Sequence, residues 1–277
     1  MTIGIVGMGL IGGSLAKAYK KKKAEHTVYG VDTDLAILGF AQLCGAIDGT
    51  LCDETIGKCD AIFLAINPSD AVAYMENNAH SIAKNTVVID CCGIKRYVCS
   101  RCFPIAEKHG FTFVGGHPMA GSHNAGFKNS RPTLFHGACM ILVPPVYDDA
   151  ALFGRIEEIL YPIGFAHLTI STAEIHDEMI AFSSQMAHVV SNAYIKSPTA
   201  RGHKGYSAGS YKDLTRVARL NSDMWAELCV GNNDFLIKEL DGFINALTQY
   251  KNALEAKDED GLKKLLEEGS KIKGELS

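Results

Sequence analysis

A glycine-rich turn near the start of the chain constrains the fold most strongly. Residues 3–6 are apolar and predict a strand, and the amphipathic residues 10–19 predict a helix. Gly7, Gly9 and Gly12 lie at the junction. Glycines at this spacing allow a tight turn, the approach of a phosphate to the backbone, and close packing of the helix on the strand. The pattern predicts a βαβ unit that holds the phosphates of a dinucleotide at the helix N-terminus.

An acidic residue after the second predicted strand distinguishes between dinucleotides. Residues 27–31 predict that strand, and Asp32 follows it. A carboxylate at this point accepts hydrogen bonds from the ribose hydroxyls and repels a 2′-phosphate, and no Arg adjoins it to bind one. We therefore predict NAD rather than NADP. The alternative is a glycine turn in an α/β protein that binds no nucleotide. The predicted cofactor-binding residues are Gly7, Met8, Gly9, Leu10, Ile11, Gly12 and Asp32.

Strands and helices alternate over the first 170 residues. Apolar strands that alternate with helices indicate a parallel sheet covered on both faces, an α/β fold of the Rossmann type. After Ser171 the pattern changes to helical periodicity, and Ser171 or Thr172 can cap a long helix that runs to about residue 195. We predict an NAD-binding domain over residues 1–171 and an all-helical substrate-binding and dimerisation domain over residues 172–277. Further predicted strands cover residues 61–66, 87–90, 112–114, 140–143 and 166–170, and further helices cover 95–109, 150–160, 208–218, 222–254 and 258–271.

The composition narrows the class of partner. The net charge is −4, which gives no reason to expect nucleic acid or an anionic membrane as a partner. No apolar run is long enough to span a bilayer, and the first residues form a strand instead of a secretory signal. We predict a cytoplasmic enzyme that acts on a small molecule. The long apolar faces of the helical domain predict a homodimer.

Nine cysteines are present, and four of them lie close together in the sequence. Their spacing is compatible with zinc, and the pair at positions 99 and 102 is compatible with a redox function. The stronger interpretation is structural, because Cys91 and Cys92 end a buried strand and Cys99 and Cys102 share one face of a helix. We therefore predict no metal site.

Three further segments carry chemically useful side chains. His117 follows a strand of the nucleotide-binding domain, within a Gly-Gly-His-Pro-Met-Ala-Gly-Ser segment, at the edge where ligands of α/β sheets bind. A histidine there can act as a general base near neutral pH, whereas the alternative is a loop histidine used only for hydrogen bonding.

Ser184 and His188 share a helical face, although a lone histidine there is more often a core residue. Lys212 and Arg216 share another face, and Arg216 can bind a carboxylate with two hydrogen bonds, unless they form a surface salt-bridge cluster with Asp213.

Together these segments resemble the prephenate dehydrogenase family over nearly the whole chain. The resemblance rests on the glycine turn, residues 90–95, 116–121, 184–188 and 213–216, and Trp225. It implies that His117 takes the proton of the substrate's ring hydroxyl, that Arg216 binds a substrate carboxylate, and that His188 reaches the substrate pocket. The implied catalytic residues are His117, His188 and Arg216, and the implied substrate-binding residues are Ser122, Gly209, Lys212, Asp213 and Arg216, partly from the second subunit.

The chain departs from the family pattern at several positions. Gly93 stands where the family often has a serine that orients the catalytic histidine and the nicotinamide, so Ser122 or a water has to supply that hydrogen bond. Gln185 stands where many members have His, and His123 stands near a position that is acidic in several members. The presence of His188 and of His123 favours prephenate over arogenate as substrate.

Three alternatives remain open at this stage. The first is arogenate dehydrogenase. The second is another two-domain dehydrogenase or reductase, of the β-hydroxyacid or pyrroline-carboxylate type, which would need neither the segment around His117 nor Arg216. The third is a non-catalytic NAD sensor, against which the acidic charge and the lack of a basic recognition helix argue.

Overall fold

The sheet at the centre of the molecule contains every strand that the sequence predicts. The computed structural model describes residues 1–23, 25–121 and 124–276. Within these residues eight strands form one sheet in the order β3-β2-β1-β4-β5-β6-β7-β8. The order reverses between β1 and β4, which creates the crevice where ligands bind in open α/β sheets. The strands are β1 (Thr2–Val6), β2 (Thr27–Val31), β3 (Gly49–Thr50), β4 (Ala61–Leu64), β5 (Val87–Asp90), β6 (Thr112–Pro118), β7 (Cys139–Val143) and β8 (His167–Ile170).

The prediction of an entirely parallel sheet is wrong at one edge. Strands β1 to β6 are parallel, but β7 pairs antiparallel with β6, placing His117 opposite Ile141, and β8 then follows β7 in parallel. A parallel pair needs a long crossover, usually a helix, whereas the described part of the connection over residues 119–138 carries only a short helical turn, Phe127–Asn129. Strand β6 extends four residues beyond the predicted end, because Gly115–Pro118 pair with β7.

Helices cover the two faces of the sheet and bury a separate apolar cluster on each. One cluster joins β1 and β4 to Leu15, Tyr19 and Ile156, and the other joins β4 and β5 to Met75 and Cys102. The three-layer arrangement predicted for the first domain is therefore confirmed. Its helices are α1 (Leu10–Lys22), α2 (Leu35–Leu43), α3 (Asp53–Ile56), α4 (Pro68–Asn78), α5 (Arg96–His109) and α6 (Ala150–Leu160).

The second part of the chain is helical, as predicted. Thr172 caps its first helix, since the Thr172 hydroxyl accepts a hydrogen bond from the N–H of Ile175. The predicted long helix to residue 195 is present but contains a π-helical stretch at Ala181–Met186. The predicted segment 222–254 is broken at residues 231–232. The helices are α7 (Ala173–Ile180), α8 (Ala187–Tyr194), α9 (Gly209–Thr215), α10 (Ser222–Val230), α11 (Asn233–Glu255) and α12 (Glu259–Glu275).

The π-helical stretch determines which residues of this long helix share a face. His176 and His188 are twelve residues apart, so a regular α-helix, turning by about 100° per residue, would set them about 120° apart. A π turn accommodates one extra residue, which reduces the difference to about 20°. His176 and His188 therefore lie along the same side of the α7–α8 helix.

Candidate active site

The glycine turn has the shape that a bound phosphate requires. Gly7 has φ +87°, and a side chain there would lie 2.6 Å from the carbonyl oxygen of Ala65. A side chain at Gly12 would overlap the carbonyl oxygen of Gly7, so the helix can approach the strand only with glycine at this position. Around Gly9, by contrast, no atom lies within 4 Å of the position of a Cβ. The turn is thus packed on two sides and open on the third.

The open side faces the N-terminus of α1, which can accept negative charge. Its first turn contains no acidic residue, and no side chain in the described part of the protein caps it. Its N–H groups and the positive end of the helix dipole therefore suit a phosphate. Asp32 lies beside the turn, where its carboxylate accepts hydrogen bonds from the N–H of Met8 at 2.7 Å and of Asp34 at 2.9 Å. These residues fit the pyrophosphate and one ribose of a dinucleotide.

The predicted cofactor-binding residues differ in what they offer to a ligand. The side chain of Met8 is fully buried in the core, and its N–H is bonded to Asp32, so it shapes the loop from below. Leu10 and Ile11 are half-buried and pack on the same core. The structure therefore brings together Gly9, the helix N-terminus and Asp32 as the groups around an open cradle.

His117 lies near the carboxyl end of β6, three strands from the glycine turn. With strands about 4.8 Å apart, the separation across the sheet is about 14 Å. The Nδ1 atom of His117 lies 2.9 Å from Nε2 of His176, which belongs to α7 of the helical domain. Burial lowers the pKa of His117 well below its usual value, and the neighbouring His176 and Lys95 lower it further. The imidazole is therefore neutral at physiological pH and can accept a proton.

Behind His117, a buried carboxylate joins the two domains. Asp177 accepts a hydrogen bond from Nδ1 of His176 at 2.7 Å, and also from the N–H groups of Lys95 and Arg96 at 2.7 and 2.9 Å. These two N–H groups begin α5, so a side chain of the helical domain caps a helix of the nucleotide-binding domain. Burial alone would raise the pKa of Asp177, but these hydrogen bonds lower it overall. Asp177 is thus ionised and fixed from both domains.

Arg96 strengthens the same junction. Its guanidinium contacts Asp177, donates to Asp234 at 2.7 Å, and donates to the side-chain oxygen of Asn232 at 2.8 Å. Asn232 in turn donates to the carbonyl of Asp177 and to the side chain of Gln185. Gln185 is therefore part of the buried scaffold that supports α7.

A buried ion pair lies on the sheet side of His117. Lys95 and Asp90 are both fully buried and form a direct ion pair. Asp90 also accepts from the N–H of Gly116 at 2.9 Å and of Cys92 at 3.0 Å. Burial opposes the charge of Lys95, but Asp90 raises its pKa above the usual value. The pair therefore holds the backbone beside His117 and contributes a positive charge near it.

The clustered cysteines are packed as apolar side chains. Cys99 and Cys102 are buried one turn apart on α5, and Cys92 is buried after β5. Burial raises the pKa of Cys102 to about 12, which makes its thiol unreactive. No group of metal-ligating side chains is found among residues 1–23, 25–121 and 124–276.

His188 lies further along the α7–α8 helix. Its Nδ1 atom is bonded to the carbonyl of Ser184 at 2.8 Å, and its ring stacks on Trp225 with the centroids 3.9 Å apart. A carbonyl oxygen can only accept, so Nδ1 carries a proton. Any bond from His188 to a substrate is therefore made through Nε2.

The remaining predicted residues lie on the surface around α9. Gly209, Lys212, Asp213 and Arg216 are exposed, and the guanidinium of Arg216 forms no ion pair or hydrogen bond with another described side chain. The helix α9 packs on α8, and Asn192 of α8 donates to the carbonyl of Ala218. Ser122 and His123 lie outside the described residues.

Sequence reasoning missed the hydrogen-bond partner of His117 and the carboxylate behind that partner. His176 and Asp177 are adjacent titratable residues in the first half of a helix, and that pairing was the available signal. The sequence does not reveal their role, because His117 lies 59 positions before His176, in the other domain. Gly93 cannot form a side-chain hydrogen bond to His117, and the sequence predicts that Ser122 or a water supplies one. Among the described residues, His176 forms a hydrogen bond to His117.

The chain has a Rossmann-type sheet with a phosphate cradle at its carboxyl edge. A helical domain completes a histidine site at the same edge. These features define a two-domain nucleotide-dependent dehydrogenase. Residues 15–168 match the prephenate dehydrogenase nucleotide-binding domain, and residues 172–268 match the prephenate dehydrogenase dimerization domain. The chain belongs to the prephenate dehydrogenase family. The match begins after the glycine turn, so the family assignment is independent of that motif.

Individual relatives agree with this assignment. The chain is 28% identical to prephenate dehydrogenase of Bacillus subtilis (strain 168), over 94% of this chain and 72% of the relative. It is 27% identical to cyclohexadienyl dehydrogenase of Zymomonas mobilis, over 98% of this chain and 94% of the relative. Its fold matches prephenate dehydrogenase from Aquifex aeolicus, crystallised with hydroxyphenyl propionate and NAD+, with a TM-score of 0.86, 25% identity and coverage of 100% and 98%.

Proposed function

We propose that this protein oxidises and decarboxylates prephenate to 4-hydroxyphenylpyruvate, with NAD as the hydride acceptor. The observation that carries the proposal is the position of His117. It is a neutral imidazole at the carboxyl edge of a nucleotide-binding sheet, supported from behind by a helical domain of the prephenate dehydrogenase family. Such a group suits a reaction in which a hydroxyl loses its proton as its carbon loses hydride.

NAD is the cofactor that the cradle suits. Gly9 and the N-terminus of α1 would hold the pyrophosphate, and Asp32 would accept from the ribose hydroxyls and repel a 2′-phosphate. The Aquifex relative was crystallised with NAD+. When bound, the nicotinamide supplies the hydride acceptor.

The protein's own contribution to the reaction is the movement of one proton and the placement of two charges. His117 accepts the proton of the C4 hydroxyl while the hydrogen on C4 leaves as hydride. The bond from C1 to its carboxylate then breaks, CO2 departs, and the electron pair flows into the ring towards the oxygen on C4. His117 returns its proton to that oxygen, which gives the phenol with no net proton released. Arg216 and His188 are proposed to bind the substrate's carboxylates, and Gly209, Lys212, Asp213 and Ser122 to line the pocket.

Steady-state assays test the proposal directly. NADH formation at 340 nm is measured with prephenate and with arogenate, each with NAD and with NADP. We expect turnover of prephenate with NAD, and a decrease in kcat of about 10²–10⁴ for His117→Asn. The matched control is His80→Asn, which replaces an exposed histidine in the turn Ala79–Ser81 and should leave kcat unchanged. A preference for arogenate would show that the proposed substrate is wrong. A wild-type kcat in His117→Asn would refute the assignment of His117 as the general base.

We also propose that the active protein is a homodimer. Helices α11 and α12 expose Phe243, Ile244, Leu247, Leu254 and Leu266, an apolar set on the part of the chain that matches the dimerization domain. A second copy of the chain would cover this set. Light scattering after gel filtration should give the mass of two chains, and a monomer would contradict the proposal.

A further inference from the structure

The hydrogen bonds behind His117 determine where its proton lies. Asp177 is ionised and can only accept, so Nδ1 of His176 carries a proton. A neutral His176 then presents an unprotonated Nε2, and this atom faces Nδ1 of His117 at 2.9 Å. A hydrogen bond between these two nitrogens requires the proton to lie on Nδ1 of His117. The unprotonated nitrogen of His117 is therefore Nε2.

We infer that His176, held by Asp177, is a positioning residue that fixes His117 in the tautomer whose Nε2 accepts the substrate proton. The inference rests on the proposed function, because it assigns the atom at which that function takes its proton. Neutral histidine otherwise exchanges between two tautomers, and only one of them can act as base at a given nitrogen. His176 also sets the plane of the ring, since the bond length and direction restrain rotation of His117.

The surroundings make His176 a rigid partner. Its side chain and that of Asp177 are fully buried. Burial lowers the pKa of His176, with the charge of Lys95 adding to the effect, and Asp177 and Asp90 oppose it. Asp177 cannot turn away from His176, because the N–H groups of Lys95 and Arg96 bind its two oxygens from the other domain. The tautomer of His117 is thus set by a chain of hydrogen bonds that runs from His117 through His176 to Asp177 and the backbone of Lys95 and Arg96.

Residue 93 explains why this chain depends on His176. Glycine there has no hydroxyl to offer His117, and a Cβ at this position would lie 3.2 Å from the side chain of Leu228. The Leu228 side chain of the helical domain therefore crowds the position where a serine side chain would begin. Among the described residues, His176 is the hydrogen-bond partner of the His117 ring.

Nuclear magnetic resonance of the free enzyme tests the tautomer without any turnover. The histidines are labelled with ¹⁵N, and His117 is assigned by comparison with His117→Gln. At pH 8 we expect the shift of a protonated nitrogen at Nδ1 and of an unprotonated nitrogen at Nε2. In His176→Phe we expect the two nitrogens to move towards each other, as the tautomers mix. A proton on Nε2 in the wild-type protein would overturn the inference.

Kinetics of two variants separate positioning from mere packing. His176→Gln keeps an acceptor, because its amide N–H₂ faces Asp177 and its oxygen faces Nδ1 of His117. His176→Phe fills the space and offers no acceptor. We expect His176→Phe to lower kcat at least about tenfold with little change in KM, and His176→Gln to restore most of it. Equal kcat in all three proteins would overturn the inference.

The two proposals fail in different ways. If the wild-type protein turned over neither prephenate nor arogenate, the proposed function would fail while the ¹⁵N spectrum still reported the tautomer. Thermal denaturation shows whether each variant is folded. If His176→Phe were unfolded, the wild-type ¹⁵N spectrum and the kcat of His176→Gln would still test the inference. A kcat of His176→Gln as low as that of His117→Asn would contradict the inference.

Discussion

Replacement of Lys95 by methionine tests the buried ion pair beside the catalytic edge. Methionine has nearly the same length and volume as lysine, so the packing is kept while the charge is lost. Asp90 is then left buried without its cation. It keeps the bonds from the N–H groups of Gly116 and Cys92, which stabilise part of its charge.

The expected loss of stability follows from the environment of the pair. Removal of one partner of a buried ion pair costs about 3–5 kcal/mol, because the remaining charge is uncompensated. Since two backbone N–H groups still bind Asp90, we expect about 3 kcal/mol for Lys95→Met. The double variant Lys95→Met/Asp90→Asn should lose less than the sum of the two single variants, by about 1–3 kcal/mol.

Urea denaturation followed by circular dichroism measures these differences. Lys238→Met removes one partner of an exposed ion pair with Glu178 and serves as the control, which should leave the midpoint unchanged. Lys95→Met should also raise the pKa of His117, because it removes a positive charge. Strictly additive losses in the double variant, or a Lys95→Met as stable as Lys238→Met, would refute this account of the pair.

Three further predictions concern activity. The value of kcat/KM should stay constant as the pH falls to 6.5 and decrease only below it, since burial lowers the pKa of His117 and the neighbouring His176 and Lys95 lower it further. The carboxylates of Asp177 and Asp90 raise the pKa of His176, the histidine that faces His117. A pH profile in which activity halves at or above pH 6.5 would contradict this prediction. Arg216→Ala should raise KM for prephenate at least about tenfold with a smaller change in kcat, and an unchanged KM would remove Arg216 from the pocket. Asp32→Asn should weaken NAD binding and reduce the preference over NADP, measured by fluorescence titration, and an unchanged ratio of the two affinities would show that Asp32 does not select the cofactor.

The local elements were predictable because each depends on its own sequence. The helix at 150–160 and the strand at 87–90 have the bounds that periodicity indicates. The direction of β7 was not predictable in this way, since an apolar strand has the same pattern in either direction. What decides it is the connection over residues 119–138, whose described part has no crossover helix.

The candidate site divides along a similar line. His117 stood out because its segment has a recognisable composition, and Asp32 because its distance from the glycine turn is informative. His176 and Asp177 carry no such local mark, because what they do depends on a contact between two domains. A single sequence contains the residues of that contact but not their proximity.

The π-helical stretch Ala181–Met186 gives this segment room to lose one residue without disturbing the site. Deletion of one residue there would leave His176 and His188 eleven residues apart, which a regular α-helix also sets about 20° apart. His188 would then stay on the side on which His176 lies and keep its place beside Trp225. A sequence alignment with a relative that has a regular helix here should therefore carry a one-residue gap in this segment, because an ungapped alignment would pair the positions on one side of it one residue out of register.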